Sequence, residues 1–245
     1  MIPLEKTKFI SNWIKSYVDK MPNKAESLVI GISGGIDSSV SSTLSAMTGL
    51  KTIVLSMPIK QKENQHDLSL KHQEWLIKKF DNVEAHTISL DKLFVSFSTT
   101  LNKFDNEHGF ANSRARLRMT TLYQVAAANK GIVVGTGNKV EDFGVGFYTK
   151  YGDGGVDISP IADCNKSEIW ELGKELGILK EIIDAPPTDG LWDDGRTDEG
   201  QLGFKYQELE DAMKNSDSPH RQEYEKIRKQ NLHKMEPIPV CKIPS

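Results

Sequence analysis

Apolar positions along this chain recur with two periods, and short runs at strand length alternate with stripes at helical spacing. Phe9, Ile10, Trp13, Ile14, Tyr17, Val18 and Met21 share one face at a period of 3.6, which predicts an amphipathic helix over 7–21, ended by Pro22. A stripe this wide and aromatic packs on the sheet, with any excess open to a partner subunit. Apolar or β-branched runs over 28–32, 52–57, 83–90 and 131–136 predict buried strands. Between them Val40, Leu44 and Met47 mark a helix stopped by Gly49, Leu68, Trp75, Leu76 and Phe80 mark one over 67–80, and a third covers 91–102. The polar stretch 105–112 then breaks the pattern. Asn112 or Ser113 caps a helix to about residue 129, with Met119, Leu122, Val125 and Ala126 turned inward.

Strand and helix in alternation predict an α/β fold: a doubly wound, Rossmann-like parallel sheet flanked by helices. Downstream, 158–161 reads as a short strand. Asn165 and Glu168 form a capping box for a helix over 166–176 closed by Gly177, and a short helix ends at Pro186 and Pro187. The acidic, glycine-rich stretch 188–200 reads as a lid and the polar stretch 60–66 as a loop above the sheet edge. Additional C-terminal helices over 201–214 and 219–234 precede a proline-rich tail. The whole, 1–245, reads as one domain with a core of about 25–180, the helix 7–21 and the segment 185–235 packing on it.

Composition narrows the class. Lys and Arg number 31 against 34 Asp and Glu, a formal charge of −3, so no overall field draws the chain to nucleic acid or anionic lipid. No apolar run approaches the roughly 20 residues of a membrane span, and a cytoplasmic protein is expected. Cys164 and Cys241 are far apart and without metal-ligand spacing, which predicts two buried free thiols. His72 and His86 each lack a neighbouring ligand and read as structural.

The chemistry gathers at strand ends. After the first strand comes Ser33-Gly34-Gly35-Ile36-Asp37-Ser38. Paired glycines let backbone N–H groups close on an anion, and the following helix adds its free N–H groups and positive dipole end. Asp37 would repel phosphates unless a divalent cation lay between, so the loop predicts Mg2+ with its nucleotide. The chain has no Gly-Lys-Ser/Thr, so this is not a Walker loop. Glu141, shortly beyond the fourth strand, supplies a second carboxylate for the same metal. Arg114, Arg116 and Arg118 fall in the first turns of the expected helix and oppose its dipole, as Lys166 does in its own. Each is explained by an anionic ligand, by salt bridges or by a plain surface position, and the arginines cannot all serve one purpose.

The loop S-G-G-I-D-S resembles that of the ATP pyrophosphatase superfamily, which cleaves ATP between its α and β phosphates. Taken with N-S-R-A-R-L-R-M, G-T-G-N-K-V-E, G-F-Y-T-K-Y-G-D-G-G-V-D, D-E-G-Q-L-G-F-K-Y-Q-E-L and L-H-K in that order, the chain resembles ammonia-dependent NAD+ synthetase over nearly its whole length. The resemblance implies that the carboxylate of nicotinic acid adenine dinucleotide attacks the α-phosphate of ATP, and that ammonia then displaces AMP to give NAD+. It implies ATP contacts at Gly31, Ile32, Ser33, Gly34, Gly35, Ile36, Asp37, Ser38, Thr136, Lys166 and Thr188, and Mg2+ on Asp37 and Glu141. It places the deamido dinucleotide on Arg116, Lys150, Asp157, His233 and Lys234, at the interface of a homodimer. Asp37 and Lys166 become catalytic, and Asp153 is the candidate base for ammonia. One departure stands out: E-D-F-G-V-G-F is a residue longer than the E-x-x-T-G-F of some members.

At about 100–200 residues per domain, the length leaves no room for an appended glutamine amidase, so free or delivered ammonia is expected. A relative that adenylates a tRNA base would want a basic face and reactive cysteines. A nucleotide sensor would have no use for two metal carboxylates and a second basic site.

Overall fold

Leu28, Val29 and Ile30 expose no surface, which requires cover on both faces of the strand that carries them. The computed structural model describes residues 1–59, 63–188, 191–192 and 197–243. Its four strands are β1 (Ser27–Gly31), β2 (Lys51–Ser56), β3 (Val83–Thr87) and β4 (Gly131–Val133), all parallel in the order β3-β2-β1-β4. Val29 stands between Ile53 of β2 and Val133 of β4.

The helices are α1 (Pro3–Lys20), α2 (Ile36–Ala46), α3 (Glu63–Lys79), α4 (Asp91–Thr100), α5 (Glu107–Ala128), α6 (Lys166–Leu176), α7 (Lys180–Ile183), α8 (Asp198–Leu202), α9 (Tyr206–Lys214) and α10 (Arg221–Met235). Alternation sends Leu28 and Ile30 to one face, against Ile10 and Ile14 of α1, Val40 and Leu44 of α2, Leu76 of α3 and Ile169 of α6. Val29, Ile53 and Val133 face the other way, onto Phe94 of α4 and Ala126 of α5. This is the doubly wound arrangement. The chain steps outward from β1 to β3 and then crosses back to β4, so the order reverses between β1 and β4, and ligands of such sheets lie beyond the strand ends at that point.

A third apolar cluster lies outside the sheet. Val140 and Val145 belong to a seven-residue π-helical turn, Lys139–Val145, and pack with Tyr206, Leu209 and Ala212 of α9 and Tyr224 of α10. The C-terminal helices therefore rest on the segment that follows β4.

Several boundaries differ from expectation. The α5 helix begins at Glu107, not near 113, because Asn106 rather than Asn112 caps it, its side chain accepting from Gly109 N. The arginines are thus mid-helix, and the dipole gives them no anion to seek. The first helix starts a turn early, with Pro3 in its first turn. Of the expected loop 60–66, Glu63 onward is helix and 60–62 lie outside the described residues. The strand expected at 158–161 is a single bridge from Ile158 to Val134. Gly203, at φ 76°, divides the helix expected over 201–214. Cys164 is buried as expected; Cys241 is exposed.

Candidate active site

The loop after β1 is already shaped before any ligand is considered. Ser38 Oγ accepts from Ser33 N at 3.2 Å and donates to Gly35 O at 3.0 Å, while Gly35 N donates to Ser33 Oγ at 3.2 Å. Gly34 holds φ at 88°, a left-handed conformation that favours glycine. Gly31, Ile32, Ser33, Gly35, Ile36, Asp37 and Ser38 line one cavity, and Thr136, Glu141, Lys166 and Thr188 line it too. The ATP positions implied by resemblance are thus brought together, with Gly34 inside the loop itself. Of the expected lid, 189–190 and 193–196 lie outside the described residues.

Three charges meet at the floor of this cavity. Lys166 Nζ lies 2.6 Å from Asp37 Oδ2 and 2.9 Å from Glu141 Oε1, and the lysine is 1% exposed. Its position follows from the Asn165/Glu168 capping box, which starts α6 at this point. The anion that Lys166 calls for is therefore the protein's own pair of carboxylates. Burial alone would lower the lysine pKa, but Asp37 and Glu141 outweigh it and hold the ammonium above its usual range. Burial pushes the Asp37 carboxyl up, against the pull of Lys166. Burial acts on Glu141 in the same sense, yet Lys166 and hydrogen bonds from its neighbours hold it below the usual range. Of the pair, Glu141 is the harder to protonate.

Two residues that sequence reasoning missed complete this group. Fully buried Asn138 donates to Asp37 Oδ1 at 3.0 Å and accepts from the N–H groups of Val140 and Glu141, so one side chain ties the loop to the π turn. Tyr206 donates its hydroxyl to Glu141 Oε1 at 2.5 Å from 65 residues away. Asn138 stands within G-N-K-V-E and Tyr206 within the K-Y-Q-E-L stretch, but residue spacing carries no sign of either reach. Close packing is set locally too: a Cβ at Gly137 would lie 1.9 Å from Asp142 Oδ2.

A second cavity is lined by Arg116, Lys150, His233 and Lys234, with Tyr148 and Trp192. Arg116 reaches Lys150 O at 3.3 Å, Lys150 Nζ donates to His233 O at 2.9 Å, and Lys234 Nζ donates to Tyr148 O at 2.9 Å. Burial lowers the Lys234 pKa. Four basic side chains among aromatic rings suit an anionic, ring-bearing ligand. Asp153, Phe147 and Leu191 line both cavities, so Asp153 stands where they meet, its Oδ1 accepting from Thr149 N at 3.0 Å. Asp157 is not brought to this group. Its carboxylate takes the Tyr123 hydroxyl at 3.0 Å and Val133 N at 2.7 Å, pinning the loop to β4.

The other two arginines bond to backbone carbonyls, and Arg118 also lines the first cavity. Arg114 donates to Leu191 O at 2.8 Å and stacks 4.8 Å from the Phe94 ring centre, while Arg118 donates to Met57 O at 3.1 Å.

A family model described as NAD synthase matches residues 6–243. The NH(3)-dependent NAD(+) synthetase of Carboxydothermus hydrogenoformans is 36% identical over 212 residues, covering 84% of this chain and 83% of that protein. Among solved structures, the NMN synthetase of Francisella tularensis superposes with a TM-score of 0.90 at 34% identity, covering 99% of this chain and 100% of that one. The NH3-dependent NAD synthetase of Campylobacter jejuni gives a TM-score of 0.79 over 99% and 100% of the two chains; at 24% identity this is a likeness of fold.

Proposed function

The chain belongs to the NAD synthase family, and from that premise we propose that its two cavities hold ATP and a deamidated pyridine nucleotide for amidation by ammonia. The enzyme is a C–N bond-forming ligase that converts nicotinic acid adenine dinucleotide, ATP and ammonia to NAD+, AMP and pyrophosphate. The observation that carries this reading is the Asp37–Lys166–Glu141 group at the sheet's switch point, one cavity away from a cluster of four basic side chains.

The loop from Ser33 to Ser38 and the start of α2 receive the triphosphate, in the cavity that Thr136 and Thr188 also line. Arg116, Lys150, His233 and Lys234 hold the dinucleotide so that its carboxylate faces the α-phosphate. Positioning of this kind supplies much of the acceleration in phosphoryl chemistry. Asp157 contributes by fixing the loop that carries Lys150 and Asp153. As the P–O bond to pyrophosphate breaks, Lys166 turns its charge to the departing oxygens. Ammonia then attacks the activated carbonyl, the bond to AMP breaks, and Asp153 at the junction takes the proton that nitrogen sheds.

Mg2+ fits this site: Asp37 and Glu141 already converge on one cationic nitrogen, and two carboxylates are what Mg2+ takes from protein when phosphates complete its shell. No group of three or more His, Cys, Asp or Glu side chains gathers as a metal cage among the described residues. When bound, the ion screens the triphosphate charge.

We take 1–245 as one NAD synthase domain and assign it a homodimer. Ile10, Ile14 and Val18 of α1 are buried on the core while Phe9, Trp13 and Tyr17 remain 59%, 42% and 41% exposed, and that aromatic half faces the second copy. No described helix is long and apolar enough to cross a membrane, and a cytoplasmic location suits the nucleotide substrates.

A second reading of the acceptor is favoured by the TM-score of 0.90 to an NMN synthetase: the mononucleotide acid in place of the dinucleotide. Pure protein with MgATP, ammonium and each acceptor in turn separates the two. Formation of NAD+, AMP and pyrophosphate from the dinucleotide is expected. ADP as product would overturn the ligase chemistry, and amidation of the mononucleotide alone would overturn the acceptor.

A further inference from the structure

The C-terminal helices are not needed to close the sheet, yet one of their side chains enters the charged group. Tyr206, the first residue of α9, is 1% exposed. Its ring meets Trp170 of α6 edge-on at 6.0 Å and lies beneath Lys166, whose Nζ stands 4.8 Å from the ring centre. Its hydroxyl lies 2.5 Å from Glu141 Oε1 and 3.2 Å from Asp198 Oδ2 of α8. Glu141 Oε1 thus takes two donors, Lys166 and Tyr206.

The two donors differ in what they do during turnover. On the functional reading above, Lys166 leaves the carboxylates to meet the phosphates, and the tyrosine, wedged between Trp170 and the core of the C-terminal helices, cannot follow. Glu141 itself sits on a π-helical turn, a backbone form less regular than α-helix and often found at functional sites. A buried hydroxyl that only filled space would cost desolvation with no return, and phenylalanine would pack as well.

We propose that Tyr206 is a positioning residue for this reaction: its hydroxyl fixes the Glu141 carboxylate to receive the metal–triphosphate once Lys166 has moved away, the shorter contact marking Glu141 rather than Asp198 as the acceptor of its one proton. This rests on the functional reading above. It also gives the D-E-G-Q-L-G-F-K-Y segment its task, since Asp198 and Tyr206 are its ends.

The test is Tyr206→Phe, which keeps the ring and removes the donor. ATP binding is measured by calorimetry across a Mg2+ titration, and steady-state kinetics are run beside it. Loss of a group that orients a metal ligand weakens metal affinity by about 10–100-fold. The Mg2+ needed for half-maximal ATP binding should therefore rise by about that factor, with kcat falling and the KM for the acceptor unchanged. A Mg2+ requirement in folded Tyr206→Phe within about twofold of the wild type would overturn the proposal. Should Tyr206→Phe fail to fold, Asp198→Asn decides by the same titration: it removes the second charged acceptor and commits the hydroxyl proton to Glu141, so a fall in the Mg2+ requirement supports the proposal and a rise or no change overturns it. Failure of the wild type to form AMP and pyrophosphate would instead count against the functional reading, whatever the variant does.

Discussion

Replacing Lys166 with Met isolates what the buried ammonium does. Met retains an unbranched, flexible side chain of similar length and removes the charge, leaving Asp37 and Glu141 buried without the nitrogen that lies 2.6 and 2.9 Å from their oxygens. Breaking a buried ion pair from one side costs about 3–5 kcal/mol, because the charge left behind is uncompensated. The two carboxylate side chains keep 17% and 15% of their surface exposed, which favours the lower end. At about 2–4 °C per kcal/mol for a chain of this size, the melting temperature should fall by about 6–12 °C near pH 7. The deficit also has a sign with pH. Without the lysine both carboxylates titrate above their unfolded values, so protonation in the folded state relieves the repulsion. The deficit is fully present near neutrality and shrinks as the pH falls toward the unfolded range near about 4. Asp37, which burial pushes up even with the lysine present, should take the first proton. Scanning calorimetry from about pH 8 to about pH 5 reads both effects. Millimolar Mg2+, which binds the folded state, should raise the variant's melting temperature more than the wild type's. A variant melting within about 2 °C of the wild type, or a deficit that ignores pH, would refute the view that this lysine holds the pair.

Two further expectations use groups elsewhere in the molecule. His72 is buried, bonded to Ser42 Oγ at 3.0 Å and stacked on Trp75, and burial pushes its imidazole down to about 4. Since an unfolded histidine titrates near about 6.5, stability should be fully present above that pH and fall by about 3 kcal/mol as the pH drops to about 4. In His72→Gln the slope of the urea-unfolding free energy over that range should flatten, and an unchanged slope would count against the burial effect. Arg116 is exposed and lines the basic cavity, so Arg116→Ala should raise the KM for the pyridine nucleotide by about tenfold or more while the KM for ATP stays level. Equal changes in both constants would remove Arg116 from the acceptor side.

Legibility of this site followed the range of the forces involved. The β1–α2 unit was readable because strand, glycine turn and helix start are settled within about ten residues by local chemistry. The capping box at Asn165 and Glu168 was readable for the same reason, and it sets Lys166 in place. The start of α5 falls earlier than the sequence predicts because Asn106 and Asn112 are equally good caps in isolation; packing of Phe110 against Phe94 and Phe97 favours the earlier one. That shift removed the electrostatic case for three arginines at a helix start. The approach of Lys166 to Asp37 spans 129 residues and that of Tyr206 to Glu141 spans 65, so only the folded chain reveals these partners. Motif order did bring the residues of each cavity together, apart from Asp157, whose carboxylate serves the backbone of β4.

When the acceptor's carboxylate attacks the α-phosphate held by the loop after β1, one of its oxygens must leave with AMP. An acceptor labelled with oxygen-18 in its carboxylate tests this without reference to any variant. After turnover with MgATP and ammonium, mass spectrometry should find one labelled oxygen in AMP and none in pyrophosphate. Label in inorganic phosphate or pyrophosphate, or an AMP without label, would contradict it.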